Sequence, residues 1–179
     1  MGDVDEGGCM NGFHRDASGC AVASFAPEEA ALLVQLAGES AELVDRARHS
    51  DAPPTDPAVI RLLPDAYPQD PAASAEFRRY TTDGLAQRKI LNARIVVEML
   101  AVSEGSDPIV VRLDEVAALA WLRTITDIRL VLGARLGIVQ DGDEGDIHDD
   151  ETALLRALFD WLAFLQETLI DVLDASLEQ

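Results

Sequence analysis

The sequence predicts a mainly α fold: a helical bundle of about four main helices with short wrapping helices, a small N-terminal β-hairpin and a third short strand. Three observations lead there. Hydrophobic residues make up 48% of the chain but aromatics only 5%, a composition that builds a core of Leu, Val, Ile and Ala and favours packed helices. Long stretches carry apolar residues at helical spacing, whereas alternation or β-branched runs are brief. With 179 residues the chain suits one domain able to bury well over half of its unfolded surface.

The elements follow in order. "MNGFHR" and "GCAVASF" flank "DAS" and read as a short hairpin within residues 9–25. Pro27 opens a helix with Glu28 and Glu29 at its positive end, and Leu33, Leu36, Ser40, Leu43, Val44 and Ala47 give it one buried face to about residue 48. Residues 51–71 hold six of the eight prolines. "DPAVIRLLPDAY" and "QDPAASAEFRRY" nevertheless each begin with the Asp-Pro pair that starts a helix, which predicts two short wrapping segments rather than a flexible linker. A long helix spans about 82–103, "IVVRL" at 109–113 reads as a third strand able to join the hairpin, and Asp114 caps a helix that Gly137 ends. Residues 138–151 carry seven acids without a base and predict a solvated loop. The last helix, 152–175, is apolar over a broad face that includes Leu162, Leu165 and Leu169, the pattern of a bundle centre or of a partner surface. The organisation is thus a mobile acidic tail at 1–8 and a single domain at 9–179, made of the 9–25 hairpin, helices and strand at 27–137, the 138–151 loop and the 152–175 helix.

Charge narrows the function. Thirty-three acidic against fourteen basic residues give a net charge of −19, and no Lys/Arg stripe exists to neutralise phosphates, so direct nucleic-acid binding is not expected. No apolar run is long enough to span a bilayer, and "MGDVDEGG" lacks the basic start and apolar centre of a signal peptide, so the expected location is cytoplasmic and no membrane partner is expected.

No P-loop, dinucleotide fingerprint or nucleophile elbow is present, so the chain is not read as an enzyme and no cofactor is implied. Metal ligation is not expected either. Cys9, His14 and Cys20 supply too few ligands at the wrong spacing for zinc. From Asp141 the EF-hand pattern would put Asp146 at the glycine position and Thr152 at the bidentate glutamate position. Asp65, Tyr67, Arg78 and Arg79 read as caps and ion pairs that dock the wrapping segment. Asp127 and Arg129 read the same way, with Arg123 four residues before Asp127 as a local partner.

"RLLPDAYPQDPAASAEFRRYT", "AWLRTITDIRLVLGARLGI" and "DWLAFLQETL", in that order, resemble the actinomycete oxidative stress regulator family, an actinobacterial domain-of-unknown-function family. The resemblance covers most of residues 10–175. It implies a cytoplasmic transcriptional regulator that senses oxidants through an intramolecular disulfide and then contacts an alternative sigma factor, or another transcription protein, to raise cysteine-biosynthesis genes.

Cys9 and Cys20 are the two cysteines that could do this. In a hairpin turned at "DAS", Cys20 lies opposite His14 or Arg15, cations that favour thiolate, while Cys9 lies about five residues further along the ladder. At ~3.3 Å per residue that exceeds the ~7 Å Cα limit, so a Cys9–Cys20 bond needs residues 9–12 to leave the strand. Cys9 follows Asp3, Asp5 and Glu6, carboxylates that oppose thiolate, so Cys20 reads as the oxidant-attacked sulfur and Cys9 as the resolving one, with His14 and Arg15 as the groups that modulate the thiolate. The alternative is a constitutive helical interaction module, an adaptor or homodimer, whose cysteines are incidental.

The charge yields a direct test: purified protein should show no salt-sensitive binding to duplex DNA in an anisotropy titration. Submicromolar binding that steepens as salt falls would restore a direct DNA-binding role.

Overall fold

The structure, a computed structural model, describes residues 12–50, 52–64, 83–102, 105, 107–140 and 142–177. The acidic tail, Cys9, the second Asp-Pro segment with Arg78 and Arg79, and Asp65 and Tyr67 lie outside the described residues. Within them the architecture is mainly helical with a three-stranded antiparallel sheet of order β1–β2–β3.

Strand β1 (His14–Arg15) and β2 (Ala21–Phe25) form the hairpin, and β3 (Ile109–Leu113) pairs with β2 from Ala21↔Leu113 to Phe25↔Ile109. The third strand therefore joins the hairpin as its sequence suggests. Alternation sends Ala21, Ala23 and Phe25 inward beside Ile109, Val111 and Leu113, while Val110 and Arg112 face out.

Helix α1 (Pro27–Arg48) starts where Ala26 N–H donates to Glu29, 2.8 Å away. It buries Ala30, Leu33, Ala37, Ser40 and Val44, the i, i+3, i+7 stripe of an amphipathic helix. Helix α2 (Pro57–Leu62) has the expected Asp-Pro start, with the Asp56 carboxylate accepting from Ala58 N–H at 2.9 Å. The same carboxylate takes a two-pronged bond from Arg135, 2.8 Å on each oxygen, which fastens α2 to α4 and holds Asp56 below the usual carboxylate range. Helix α3 (Asp83–Val102) packs between α1 and α4.

Helix α4 (Glu115–Arg135) is capped by Asp114, which accepts from Ala117 N–H at 2.8 Å. It ends in a Schellman motif, in which Gly137 takes φ +68° and Ile138 N–H returns to Gly133 O at 2.9 Å. Helix α5 (Asp150–Leu177) begins two residues earlier and ends two later than its apolar pattern alone suggests. Asp149 and Thr152 explain the early start, because each side-chain oxygen accepts the other's backbone N–H, at 2.8 and 3.2 Å.

Trp121 of α4 is fully buried in the main core, stacked on Phe25 at 5.9 Å between centroids and edge-on to Phe13 at 5.7 Å. Leu162, Leu165 and Leu169 of α5 are 0% exposed in that same core. The central stripe of the α5 apolar face is thus taken up by the chain's own core, while Leu154 and Ile170 of the same helix stay exposed. Asp127, also buried, pairs with Lys89 of α3 rather than with Arg123, since the inward face of α4 meets α3 while Arg123 points to solvent. Burial outweighs the lysine and pushes the Asp127 carboxyl up. No helix among the described residues is long and apolar enough to cross a membrane.

Leu162→Ala should cost about 2–5 kcal/mol in denaturant melts, and Leu162→Asp, which buries an unpaired charge, should leave the chain unfolded by circular dichroism. An unchanged midpoint in either variant would show that α5 does not close this core.

Candidate redox site at the hairpin turn

The two strands of the hairpin are joined by residues 16–20. Gly19 N–H donates to Asp16 O and Asp16 N–H to Cys20 O, both at 3.0 Å. Gly19 has φ +89°, in the left-handed region that a three-residue hairpin loop demands at this position. The Asp16 carboxylate gathers the turn: one oxygen accepts from Ser18 N–H at 2.9 Å, Ser18 Oγ–H at 2.6 Å and Cys20 N–H at 3.0 Å. Its other oxygen accepts from Arg112 Nε–H at 2.6 Å, and Arg112 also donates to Ser18 Oγ. The Ser18 hydroxyl first, and then Arg112, hold the Asp16 carboxyl far below the usual range.

This register corrects the expected neighbours of Cys20. His14 pairs with Val22 and Arg15 with Ala21, so Cys20 stands opposite Asp16, not opposite His14 or Arg15. Alternation then separates the two side chains. Arg15 lies on the inner side of β1 and donates through Nη1 to Ala175 O at 3.0 Å, near the negative end of α5. His14 is exposed on the outer face.

The cation that reaches this turn is Arg112, which is held protonated first by its bond to Asp16 and then by the Asp16 charge. It arrives from β3, in register with Val22. Sequence reasoning missed it because β3 was placed as a strand without a register; pairing "IVVRL" with "AVASF" would have put Arg112 two residues from Cys20.

Cys20 carries a free thiol and is half-buried. Cys9, the resolving sulfur that the sequence reading expects, lies outside the described residues. Pairing of β1 with β2 stops at His14, and Phe13 N–H donates instead to Thr168 Oγ1 of α5 at 3.0 Å. A Cβ on Gly12 would meet the Thr168 side chain at 2.6 Å, so only glycine allows the chain to pass α5 so closely. Among the described residues no group of three or more His, Cys, Asp or Glu could hold a metal ion. The acidic loop is exposed yet tied down: Asp143 accepts from Val139 and Gln140 N–H at 3.0 Å each, and Arg156 donates to Asp143 O and Glu144 O.

Comparison with known proteins adds kinship. The sequence profile of a domain of unknown function, DUF2017, matches residues 10–173, a span that includes Cys20 and leaves Cys9 one residue outside. The oxidative stress regulator AosR of Mycobacterium tuberculosis (strain H37Rv) is 32% identical over 179 residues, covering 86% of this chain and 82% of the relative. The AosR of Mycobacterium bovis is equally similar. The putative oxidative stress regulator AosR of Mycobacterium leprae is 29% identical over 181 residues, covering 84% and 81%. No solved structure matches.

Because the folded Asp16 titrates below its unfolded value, its contribution to the hairpin is complete above the ordinary carboxylate range and is lost only as pH falls through the folded value. Ser18 and Cys20 amide resonances should therefore hold their positions down to about pH 3, below the usual Asp value. Asp16→Asn should shift them at every pH. Movement of the parent resonances with a midpoint near pH 4 would contradict the Asp16–Arg112 geometry.

Proposed function

The chain belongs to the DUF2017 family, and from that premise, together with its AosR relatives, we propose that it is a redox-sensing regulator of the oxidative stress response that acts through protein contact. The kinship carries the regulatory role. The observation that supports Cys20 as the sensor is Arg112, a guanidinium strapped across the turn. Arg112 stands in register with Val22, two residues from Cys20, and the opposing Asp16 carboxylate is already committed to four donors.

In the proposed reaction the Cys20 sulfur attacks one peroxide oxygen and breaks the O–O bond, leaving Cys20 sulfenic acid and water. The Cys9 thiol then attacks that sulfur, forming the Cys9–Cys20 bond and releasing a second water. Closing this loop is worth on the order of 3 kcal/mol, enough to shift a two-state equilibrium from roughly one-tenth to nine-tenths. The oxidised form would hold its partner, an alternative sigma factor or another transcription protein, more tightly. The rival reading, a constitutive adaptor or homodimer, drew on the broad apolar face of the last helix; burial of Leu162, Leu165 and Leu169 withdraws those three from a partner surface and leaves Leu154 and Ile170 exposed.

Under mild peroxide, Cys20→Ser should abolish sulfenic-acid trapping, Cys9→Ser should prolong it, and Arg112→Gln should slow its appearance about tenfold without unfolding the chain. Mass mapping should find an intramolecular Cys9–Cys20 link in the parent. Equal partner binding by reduced and oxidised protein, or parent-like responses in both serine variants, would make the cysteines bystanders and leave the constitutive module.

A further inference from the structure

Away from the hairpin, a cavity of about 390 Å³ opens where α1, α4 and α5 meet. Helix α1 packs chiefly on α3 and only lightly on α4. The side of α1 that carries Leu36 and Leu43 therefore leaves a gap, lined by Ile128 and Leu132 of α4 and by Leu155 of α5. Ile128 and Leu132 are buried and the three leucines Leu36, Leu43 and Leu155 half-buried, so the apolar lining lies within the cleft rather than on the outer surface.

One hydroxyl shares this lining. Ser40 continues the buried stripe of α1 after Leu33 and Ala37, and it is only 6% exposed. A hydroxyl at such a helical position ordinarily returns to the carbonyl four residues before it. In α4, Thr124 Oγ1 donates to Ala120 O at 2.9 Å and Thr126 Oγ1 to Leu122 O at 2.7 Å. The Ser40 hydroxyl makes no such bond and meets no other polar group among the described residues. A hydroxyl so deeply buried loses its water for no bond in return, unless something in the cavity supplies one.

The charged lining residues have partners or lie in water. Arg135 gives its fork to Asp56, Arg46 stands 3.7 Å from Glu42 with both side chains largely exposed, and the exposed Glu39 accepts from Gln35 Nε2 at 2.8 Å. An ion entering among the leucines would lose its hydration and gain no counter-charge there. Apolar walls with a single hydroxyl instead match an apolar body that carries one polar group, and the volume is that of a small molecule. We infer that this cavity binds a small uncharged molecule with an apolar body and one hydrogen-bonding oxygen, of the alcohol, phenol or ketone class, with Ser40 Oγ as its polar contact. The site stands whether or not Cys20 senses oxidants.

Displacement of the uncharged fluorophore phenylnaphthylamine from the full chain by octanol, octanoate and octylamine tests it. The fluorophore should bind saturably and one to one, and octanol should displace it about tenfold more effectively than either charged analogue. Ser40→Ala should weaken octanol about fivefold while melting no lower than the parent, since the hydroxyl it removes bonds to nothing described in the fold. Ser40→Leu, which fills the cavity, should abolish fluorophore binding with its helical circular dichroism retained; Ser40→Ala keeps the test decisive if Ser40→Leu unfolds. Leu154→Ser, which removes an exposed leucine next to Leu155, should bind like the parent and exclude general surface adhesion. Cys20→Ser should also bind like the parent, separating this site from the redox reading. No saturable binding, equal displacement by octanoate or octylamine, or parent-like octanol binding by either folded Ser40 variant would overturn the assignment. So would a dimer in sedimentation that Ser40→Leu dissociates, which would give the cavity to a second copy of the chain.

Discussion

Everything the hairpin does depends on where Trp121 holds it. The sheet is only three strands wide and β1 only two residues long, too little to be stable alone. It persists because Phe25 from β2 and Phe13 from beside β1 close around an indole that belongs to α4. Leu162, Leu165 and Leu169 of α5 belong to the same buried cluster. The outer face of the sheet, with Cys20 and Arg112, is therefore carried on a surface whose inner side is as fixed as the bundle itself.

Arginine does in this chain what longer hydrophobic contacts do elsewhere. Arg15 closes the end of α5, Arg135 fastens the start of α2, Arg112 straps the hairpin turn and Arg156 gathers the acidic loop. Each reaches a terminus or a turn, where backbone carbonyls and capping carboxylates supply negative ends that a planar fork can meet. With acids outnumbering bases more than twofold, a cation finds an acceptor wherever it is placed.

The elements were legible because their boundary signals are local. Pro27, the Asp56–Pro57 pair and Asp114 start helices where the sequence says, and Gly137 stops one, each through contacts within a few residues. Strand β3 was legible for the same reason. What escaped was every pairing set by tertiary packing. Lys89 and Asp127 are 38 residues apart and Arg112 and Asp16 are 96 apart, so no i, i+4 rule reaches them. The hairpin register slipped because Gly19 occupies the loop, moving Cys20 to face Asp16.

The buried pair on α3 and α4 reaches beyond stability. Lys89 is the only lysine among the 179 residues, and its side chain is 18% exposed with its ammonium on Asp127. An ε-amine held as an ion-paired cation is a poor nucleophile, because acylation requires the neutral, accessible amine. The described surface is therefore nearly blank to amine chemistry. Acetylation and tagging enzymes that conjugate to lysine, and the ester reagents used for cross-linking or dye labelling, find no free ε-amine on it. Attaching a probe through lysine, or marking the protein for turnover there, requires opening the α3–α4 contact.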